Sequence, residues 1–270
     1  MPPGFGLPLS VPLQHASRVL QAAAWVRTHR HTGIPRGWRL EGPPDWQPRR
    51  APMVRHSHWI LLASGPSVAH FDVAQAQKAG CAILAVNGAY RLLRAQQVQA
   101  DLLMLTDPHA ARDYGREASQ WARETWISSY ASHAADWRPD PGGVFLQWAN
   151  PHISARHFET DPLRPFFHAY SVVHPALQMC VALGGVRIAM VGVDLTTDPR
   201  HLYGVPATPA EEERAVRLFH PSRDGIRAGL DGARAWLRGH RPEIGVWHIT
   251  SPEPSCNPFA AISWACFAAE

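Results

Sequence analysis

The stretch Trp59-Ile-Leu-Leu-Ala-Ser-Gly-Pro-Ser67 decides the fold of this chain. Its first five residues are apolar and predict a short strand buried on both faces, and the turn that follows leads into a helix predicted to reach about residue 79. The pattern then repeats, because an apolar strand predicted over 81–86 ends in Asn87-Gly88 before a helix over 90–97. Such alternation predicts a doubly wound α/β fold, in which helices cover both faces of a mostly parallel sheet.

The alternation of strands and helices continues to the end of the chain. The segment from about 195 to 220 interrupts it and is predicted to be a loop-like lid, since such segments often cover active sites. Further helices are predicted over 110–124, 174–183 and 222–238, and further strands over 101–105, 126–130, 144–148, 186–191 and 245–249.

Polar side chains directly follow several of these strands. In open parallel sheets, ligands bind beyond the carboxyl ends of the strands, so residues at those ends gather along one edge. We therefore expect a single site at this edge. The polar residues that it would contain are Ser64, Asn87, Thr106, Asp107 and Asp194.

The turn at 64–67 and the amide at Asn87 suit a nucleotide or sugar ligand. Gly65 allows close approach of the backbone, and the amides at the start of the next helix could bind a phosphate or a sugar hydroxyl. Asn87 can both donate and accept hydrogen bonds, although an Asn-Gly pair is also ordinary turn chemistry. Asp107 could bind a ribose hydroxyl, and because no second carboxylate lies two residues away, we expect no metal.

The composition fits a globular protein with a substantial core. Apolar residues make up 46% of the 270 and charged residues 18%, which excludes disordered, collagen-like and coiled-coil chains. The apolar stretches are far shorter than the roughly 20 residues of a membrane span. The four cysteines form no CxxC pair and lie mostly in apolar runs, which predicts buried free thiols in a reducing, cytoplasmic compartment.

The positive charge lies at the N-terminus. Residues 1–58 carry eight arginines against Glu41 and Asp45, so this part has a net charge of +6 and the remainder −2. We predict an N-terminal extension over 1–57 and a domain over 58–270. An amphipathic helix predicted over 11–29 would pack on the body, pack on a second subunit of a homo-oligomer, or contact anionic lipid at the inner face of the cytoplasmic membrane. Charge outside the folded domain does not favour nucleic acid as a partner.

Four blocks, in this order, resemble glycosyltransferase family 42, the bacterial sialyltransferases that use CMP-sialic acid, and related lipopolysaccharide glycosyltransferases. The resemblance covers roughly residues 58–260. The blocks are Ile60-Leu-Leu-Ala-Ser-Gly-Pro-Ser67, Ala85-Val-Asn-Gly-Ala-Tyr90, Leu183-Gly-Gly-Val-Arg-Ile-Ala-Met-Val-Gly-Val-Asp194 and Phe219-His-Pro-Ser-Arg-Asp224.

The resemblance implies a Rossmann-like sheet of the GT-A-like variant and a set of site residues. His220 would be the general base, and Tyr203 would donate a hydrogen bond to the departing phosphate. The chain departs from the family at His168-Ala-Tyr-Ser171, where an Arg and a Thr-Ser pair are expected, and at Thr196, where a Tyr is expected. The donor-binding residues would be Ser64, Gly65, Ser67, Asn87, Asp107, Ser171, Thr196, Ser251 and Ser255.

The resemblance implies an inverting transferase that needs neither metal nor cofactor. It would move a 2-keto acid sugar, of the sialic acid or Kdo type, from a CMP-activated donor to a surface glycan or lipopolysaccharide acceptor. The phosphodiester of a CMP-sugar carries a single negative charge before departure, so a few hydroxyl and amide donors can stabilise the extra charge that develops on CMP without Mg²⁺. Two alternatives are a non-catalytic, sugar-nucleotide-binding scaffold protein and an ATP-dependent enzyme similar to pterin pyrophosphokinases.

Overall fold

The computed structural model describes residues 39–41, 52–145, 147–149, 157–195, 209–249 and 255–269 of the chain. Three short 3-10 turns, Pro66–His70, Asn87–Ala89 and Ala131–His133, accompany the strands and helices. The strands are β1 (Arg39–Glu41), β2 (His58–Leu62), β3 (Ala82–Val86), β4 (Ala100–Leu105), β5 (Ala122–Ser128), β6 (Gly142–Phe145), β7 (Gln147–Ala149), β8 (Phe166–His168), β9 (Arg187–Val191), β10 (Gly245–Ile249) and β11 (Ala260–Ile262). The helices are α1 (Val73–Lys78), α2 (Tyr90–Gln96), α3 (Pro108–Asp113), α4 (Gly115–Ser119), α5 (Val173–Ala182), α6 (Pro209–His240) and α7 (Trp264–Ala269).

Eight strands form one parallel sheet in the order β11-β10-β9-β2-β3-β4-β5-β6. The chain starts this sheet at β2, adds strands outward to β6, and then returns to the other side of β2 with β9. The direction of strand addition therefore reverses between β2 and β9. Ligands in doubly wound sheets bind beyond the carboxyl ends of the strands at such a switch point. The predicted α/β, Rossmann-like fold class is confirmed.

Helices cover both faces of the sheet because strand side chains alternate between the faces. Trp59 and Leu61 of β2 pack with α5 and with Leu230 of α6, whereas Ile60 and Leu62 face the layer of α1, α2, α3, α4 and α7. Both layers are strongly apolar, and the β3 side chains are buried throughout. This double burial explains why the strands appear in the sequence as continuous apolar runs.

A second, small sheet joins the N-terminal part of the chain to the body. It has the order β1-β7-β8, with β1 antiparallel and β8 parallel to β7. Residues just before β2 also contact the body, since the amide of Met53 donates to Glu124 Oε1 at 2.9 Å and the amide of His56 to the Leu183 carbonyl at 3.2 Å. Parts of the predicted extension therefore pack on the domain, and the boundary at residue 57 stays a prediction. The helix predicted over 11–29 lies outside the described residues.

Two helix predictions were wrong in extent. The helix predicted over 110–124 is divided into α3 and α4, and its last residues belong to β5. The helix predicted over 222–238 begins at Pro209, so the backbone of residues 209–220 is helical rather than a loop. Pro221 favoured a helix start at that point, because proline is common in the first turn and rare inside a helix.

All four cysteines are free thiols, as predicted. Cys81 and Cys180 are buried, and burial raises the pKa of both thiols. Cys256 and Cys266 are exposed, so the expectation of burial was wrong for these two. They lie near the C-terminus, beside the edge strand β11 and in α7, where one face is open to solvent.

No described helix combines the length and the apolar character that crossing a membrane requires.

Candidate functional site

The loops that follow β2 and β9 are in close contact at the switch point. The amide of Gly65 donates to the Gly192 carbonyl at 2.8 Å, and Gly192 has a φ of +74°. A Cβ at Gly65 would lie 2.3 Å from Asp194 Oδ2 and 2.5 Å from the Gly192 carbonyl oxygen. Only glycine fits this position, because any side chain would collide with the backbone and the carboxylate.

Asp194 occupies the turn that the sequence predicts to be open for a phosphate. The amide of Ser67 donates to Asp194 Oδ2 at 3.1 Å, and Ser67 Oγ accepts from the amide of Gly192 at 3.1 Å. Both side chains are buried. The expectation of free amides at this turn was therefore wrong for Gly65 and Ser67. Ser64 is half-buried at the same edge, and no hydrogen bond joins its hydroxyl to another described residue.

The end of β3 holds Asn87 in a defined orientation. Asn87 has a φ of +42°, and its Oδ1 accepts from the amide of Thr106, after β4, at 3.2 Å. The amide nitrogen Nδ2 is therefore the group left to donate to a ligand. Asp107, in the next position, is exposed and caps α3 through its Oδ1, which accepts from the amide of His109 at 2.8 Å. The structure thus brings Asn87 and the Thr106–Asp107 turn together.

The segment before β11 joins the same edge. Ser255 Oγ donates to the Asp194 carbonyl at 2.7 Å, and Asn257 Nδ2 donates to the Val193 carbonyl at 3.0 Å. Ser255 was predicted for this site, whereas Asn257 was missed although it is one of only three asparagines in the chain. His248, at the end of β10, is also buried near Asp194 and was missed.

His248 is held as a neutral imidazole with a defined tautomer. Its Nδ1 lies 3.0 Å from the Phe259 carbonyl oxygen and must donate the proton to it. Burial lowers the pKa of His248, against the opposing effects of the Phe259 carbonyl and the Asp194 carboxylate. Its Nε2 is therefore an acceptor near the end of the strand.

The start of α5 completes the described part of the edge. This helix packs over β2 and β3 and leads back to the start of β9, so its N-terminus lies at the carboxyl edge of the sheet. Ser171, which was predicted as a donor-binding residue, accepts the amide of Val173 through its Oγ at 3.2 Å. The amide of His174 donates to the Ser171 carbonyl at 3.3 Å, and Pro175 has no N–H. The start of α5 therefore presents the positive end of the helix dipole rather than unbonded amides.

Two histidines lie at the junction of β8 and α5. Burial, together with the nearby His174, lowers the pKa of His168 to about 4, and burial lowers the pKa of His174 to about 4 as well. His174 Nδ1 donates to the Phe167 carbonyl at 2.7 Å. Its Nε2 is buried and has no hydrogen-bond partner in the described part of the chain. Both imidazoles are therefore neutral at neutral pH.

For several predicted site residues, the structure describes only the backbone or does not describe the residue. The backbone of His220 belongs to α6, about one and a half turns before Gly225, and is not in a loop ahead of a helix. Its role as a base stays a prediction. Tyr203, Thr196 and Ser251 lie outside the described residues. Among the described residues, no three His, Cys, Asp or Glu side chains are grouped as metal ligands would be.

Comparisons with known proteins assign no family. No family model matches the chain, and no curated protein matches it. Among solved structures, the MAf glycosyltransferase from Magnetospirillum magneticum AMB-1 matches with a TM-score of 0.49 and 15% sequence identity. The match covers 81% of this chain and 35% of that one, so this chain spans about a third of that protein. A likeness at this level assigns no activity to the present chain.

Proposed function

We propose that this chain is an inverting glycosyltransferase that takes a 2-keto acid sugar from a CMP-activated donor and needs no metal for transfer. The observation that carries the proposal is the Asp194 carboxylate buried in the turn after β2. The proposal divides the carboxyl edge of the sheet into two regions. The switch point beside Asp194 suits the hydroxyl groups of a ribose, and the region of Asn87 and the start of α5 suits a single phosphate.

The switch point favours the nucleoside part of the donor. A carboxylate repels a phosphate and accepts hydrogen bonds from ribose hydroxyls, the role that an acidic residue fills in many dinucleotide-binding sheets. The amides of Gly65 and Ser67 are bonded within the protein, so the turn offers few donors to an anion. The half-buried Ser64 hydroxyl can hydrogen-bond a sugar hydroxyl at the same point.

The phosphate would lie between Asn87 and the start of α5. Asn87 Nδ2 is the donor left by the bond to Thr106, and the positive end of the α5 dipole lies beside Ser171. These groups suit the single negative charge of a CMP-sugar phosphodiester. A nucleoside triphosphate would bring several more charges towards the buried Asp194 carboxylate, which disfavours the ATP-dependent alternative.

The proposed reaction is a direct displacement. An acceptor hydroxyl oxygen attacks the anomeric carbon as the bond from that carbon to the phosphate oxygen breaks, and CMP leaves with the bonding electrons. The acceptor proton passes to a base, for which we propose His220, and Tyr203 would donate a hydrogen bond to the departing phosphate. Attack opposite the leaving group inverts the anomeric centre. A histidine suits the role because it is unprotonated yet basic near neutral pH.

The proposed acceptor is a surface glycan or a lipopolysaccharide core. The arginines of residues 1–57 would hold the enzyme near an anionic surface, where each contributes about 1 kcal/mol. Cosedimentation with vesicles of anionic lipid, at low and at high salt, tests this part. Equal recovery of the protein with neutral vesicles would contradict it.

Hydrolysis of the donor tests the activity without knowledge of the acceptor. The protein is incubated with CMP-Kdo or CMP-sialic acid in the presence of a chelator, and released CMP is measured by chromatography. We expect slow release of CMP from at least one donor. Binding of CMP without any release would indicate a non-catalytic protein, and turnover of ATP with Mg²⁺ but of neither CMP-sugar would indicate the ATP-dependent alternative.

The base is tested with His220→Ala and a matched control, His240→Ala. The two histidines belong to the same helix, and His240 is exposed at its far end. We expect His220→Ala to lower the rate of CMP release by roughly 10²- to 10⁴-fold while CMP binding persists. The control should keep the wild-type rate. An unchanged rate in His220→Ala would show that another group is the base.

A further inference from the structure

A pocket lies between the C-terminal part of α6, the first residues of β10 and the edge strand β11. Its volume is about 120 Å³. Ile244 and Val246, which line it, lie at the start of β10, whereas the proposed donor site lies beyond the carboxyl ends of the strands. The function proposed above therefore gives this pocket no role.

The floor of the pocket is apolar. Four of its lining side chains are less than 10% exposed and belong to the core layer between α6 and the sheet, namely Leu237, Ile244, Val246 and Phe259. A cavity of about 150 Å³ lined by side chains of this kind holds one benzene ring. The pocket therefore suits a single apolar group, close to a phenyl ring in size.

Arg234 forms a fixed wall of the pocket. Its Nη1 donates to the Pro258 carbonyl at 2.5 Å, and its Nη2 donates to Asp231 Oδ1 at 3.0 Å. The first bond joins α6 to the segment before β11, and the second balances the charge of the guanidinium. Arg234 thus shapes the pocket, and its charge is already compensated.

Arg238 supplies an uncompensated charge at the rim. It follows Arg234 by four residues, so it lies on the same side of α6, and it is exposed. Among the residues that the structure describes, no side chain forms an ion pair or a hydrogen bond with the Arg238 guanidinium. The neighbouring Arg241 is paired with Glu243, its Nε lying 2.5 Å from Oε1. The rim therefore presents one guanidinium without a described counter-ion.

We propose that this pocket binds a small carboxylate, whose apolar group lies on the floor and whose carboxylate pairs with Arg238. A guanidinium presents two parallel N–H groups, which match the two oxygens of a carboxylate. One negative charge balances the one unpaired arginine of the lining, whereas a phosphate dianion would bring a second charge that no other lining arginine is left to balance. The inference concerns a second site and does not depend on the identity of the sugar donor.

Titration of the full-length, ¹⁵N-labelled protein with hydrocinnamate, a phenyl ring on a short carboxylate chain, tests the proposal by NMR. We expect the amide signals of Leu237, Ile244 and Phe259 to shift, with a dissociation constant in the millimolar range that is typical of ligands of this size. Hydrocinnamyl alcohol has the same ring but no charge, and it should bind roughly 3- to 10-fold more weakly.

Arg238→Gln tests the ion pair, and Arg227→Gln is its matched control. Arg227 is exposed on the same helix and does not line the pocket, so its replacement removes the same net charge from the protein. In Arg238→Gln the carboxylate and the alcohol should bind about equally, whereas Arg227→Gln should keep the wild-type difference. The amide spectrum of each variant shows directly whether it is folded.

Ala260→Leu tests the pocket without removing a core side chain. Ala260 lines the pocket, and a leucine there would fill part of it, so both ligands should lose binding. Ala261→Leu is the control, because Ala261 is also exposed but points to the opposite face of β11. It should bind both ligands like the wild type.

Four results would overturn the inference. They are an absence of shifts at the lining amides, equal binding of hydrocinnamate and its alcohol to the wild type, wild-type binding in Ala260→Leu, and an unchanged preference for the carboxylate in Arg238→Gln. Tighter binding of phenylethyl phosphate than of hydrocinnamate would also contradict it, since the pocket would then select a phosphate. None of these results bears on the release of CMP from a CMP-sugar, so the proposed function is tested separately.

Discussion

Asn87 shows how a single residue can serve the fold and the site together. Its side-chain oxygen accepts the amide of Thr106 and so connects the ends of β3 and β4, while its backbone has a φ of +42°. Asparagine tolerates this conformation better than most residues. The bond to Thr106 also fixes the orientation of the side-chain amide and leaves Nδ2 as the donor, which in the proposed site would face the phosphate.

Replacement of Asn87 by aspartate tests whether this donor meets a phosphate. In Asn87→Asp a carboxylate oxygen can still accept from Thr106, so we expect thermal stability close to that of the wild type. A phosphate facing the new charge should bind roughly 10- to 100-fold more weakly, equivalent to about 1.4–2.8 kcal/mol. The affinity for CMP is measured by calorimetric titration.

Cytidine, which lacks the phosphate, is the control ligand for this variant. Its affinity should not change, because the substitution alters only the charge beside the phosphate. Equal weakening of CMP and cytidine would mean that Asn87 supports the fold of the site and does not meet the phosphate.

One long-range hydrogen bond explains why the sequence did not reveal that the amides of the 64–67 turn are already bonded. Ser64, Asn87, Asp107 and Asp194 were all placed correctly at strand ends, because a strand end is visible as the end of an apolar run. The bond from Ser67 to Asp194 joins residues 127 positions apart, and no local pattern encodes it. The consequence, that the amides of this turn are already bonded, therefore required the structure.

At the scale of elements, α6 serves both the core and the proposed site. Its 32 residues make it about 48 Å long, far longer than any strand of the sheet. Leu230, Ala233 and Leu237 are buried against the sheet, whereas Gly225 and Gly229 meet the 169–170 turn. The helix thus supports the core with one part and the edge of the proposed site with another.

Alanine at two glycines of α6 tests this division. A Cβ added at Gly239 would meet no heavy atom within 4 Å outside its own helix, so Gly239→Ala should raise the free energy of unfolding by about 0.5–1 kcal/mol through helix propensity alone. Gly225→Ala should instead lower it by about 1–3 kcal/mol, because its Cβ would collide with the Tyr170 ring. Urea denaturation gives both values.

Whether Gly225→Ala lowers or raises the free energy of unfolding depends on the Tyr170 ring. In a Tyr170→Gly background the collision is absent, so Gly225→Ala should stabilise the protein about as much as Gly239→Ala does. A stabilising effect of Gly225→Ala in the wild-type background would contradict the packing of the ring on this helix.

The accuracy of the predicted elements follows their burial. Strands β2, β3, β4 and β9 were predicted within about one residue, because burial on both faces gives each a continuous apolar run. Strand β10 was predicted equally well although its burial alternates along the strand. Strands β1, β8 and β11 were missed. Each has only three residues, too few for an apolar pattern, so pairing rather than pattern defines it.

At the scale of the whole molecule, the junction between the two sheets depends on neutral histidines. His168 ends β8 of the small sheet, and His174 belongs to α5, which packs on the large one. The bond from His174 Nδ1 to the Phe167 carbonyl joins these parts. A proton added to either imidazole would place an uncompensated charge in this junction, which is costly away from water.

This arrangement predicts loss of stability in mild acid. The pKa of each imidazole falls from 6.5 in the unfolded chain to about 4 in the folded one, so the unfolded state binds more protons between these values. The contribution of each histidine to the free energy of unfolding is then complete above pH 6.5 and is lost as the pH falls towards 4. At pH 5 the loss should be roughly 1–2 kcal/mol for each histidine.

His174→Asn isolates one of the two contributions, since the asparagine amide can donate to the Phe167 carbonyl but does not titrate. The variant should be less stable than the wild type at pH 7, because a smaller side chain leaves a cavity, yet its stability should fall less steeply between pH 6.5 and 4.5. Urea denaturation at a series of pH values measures the slope, with His109→Asn as the exposed control. A slope in His174→Asn equal to that of the wild type would mean that acid acts on the protein elsewhere than at this junction.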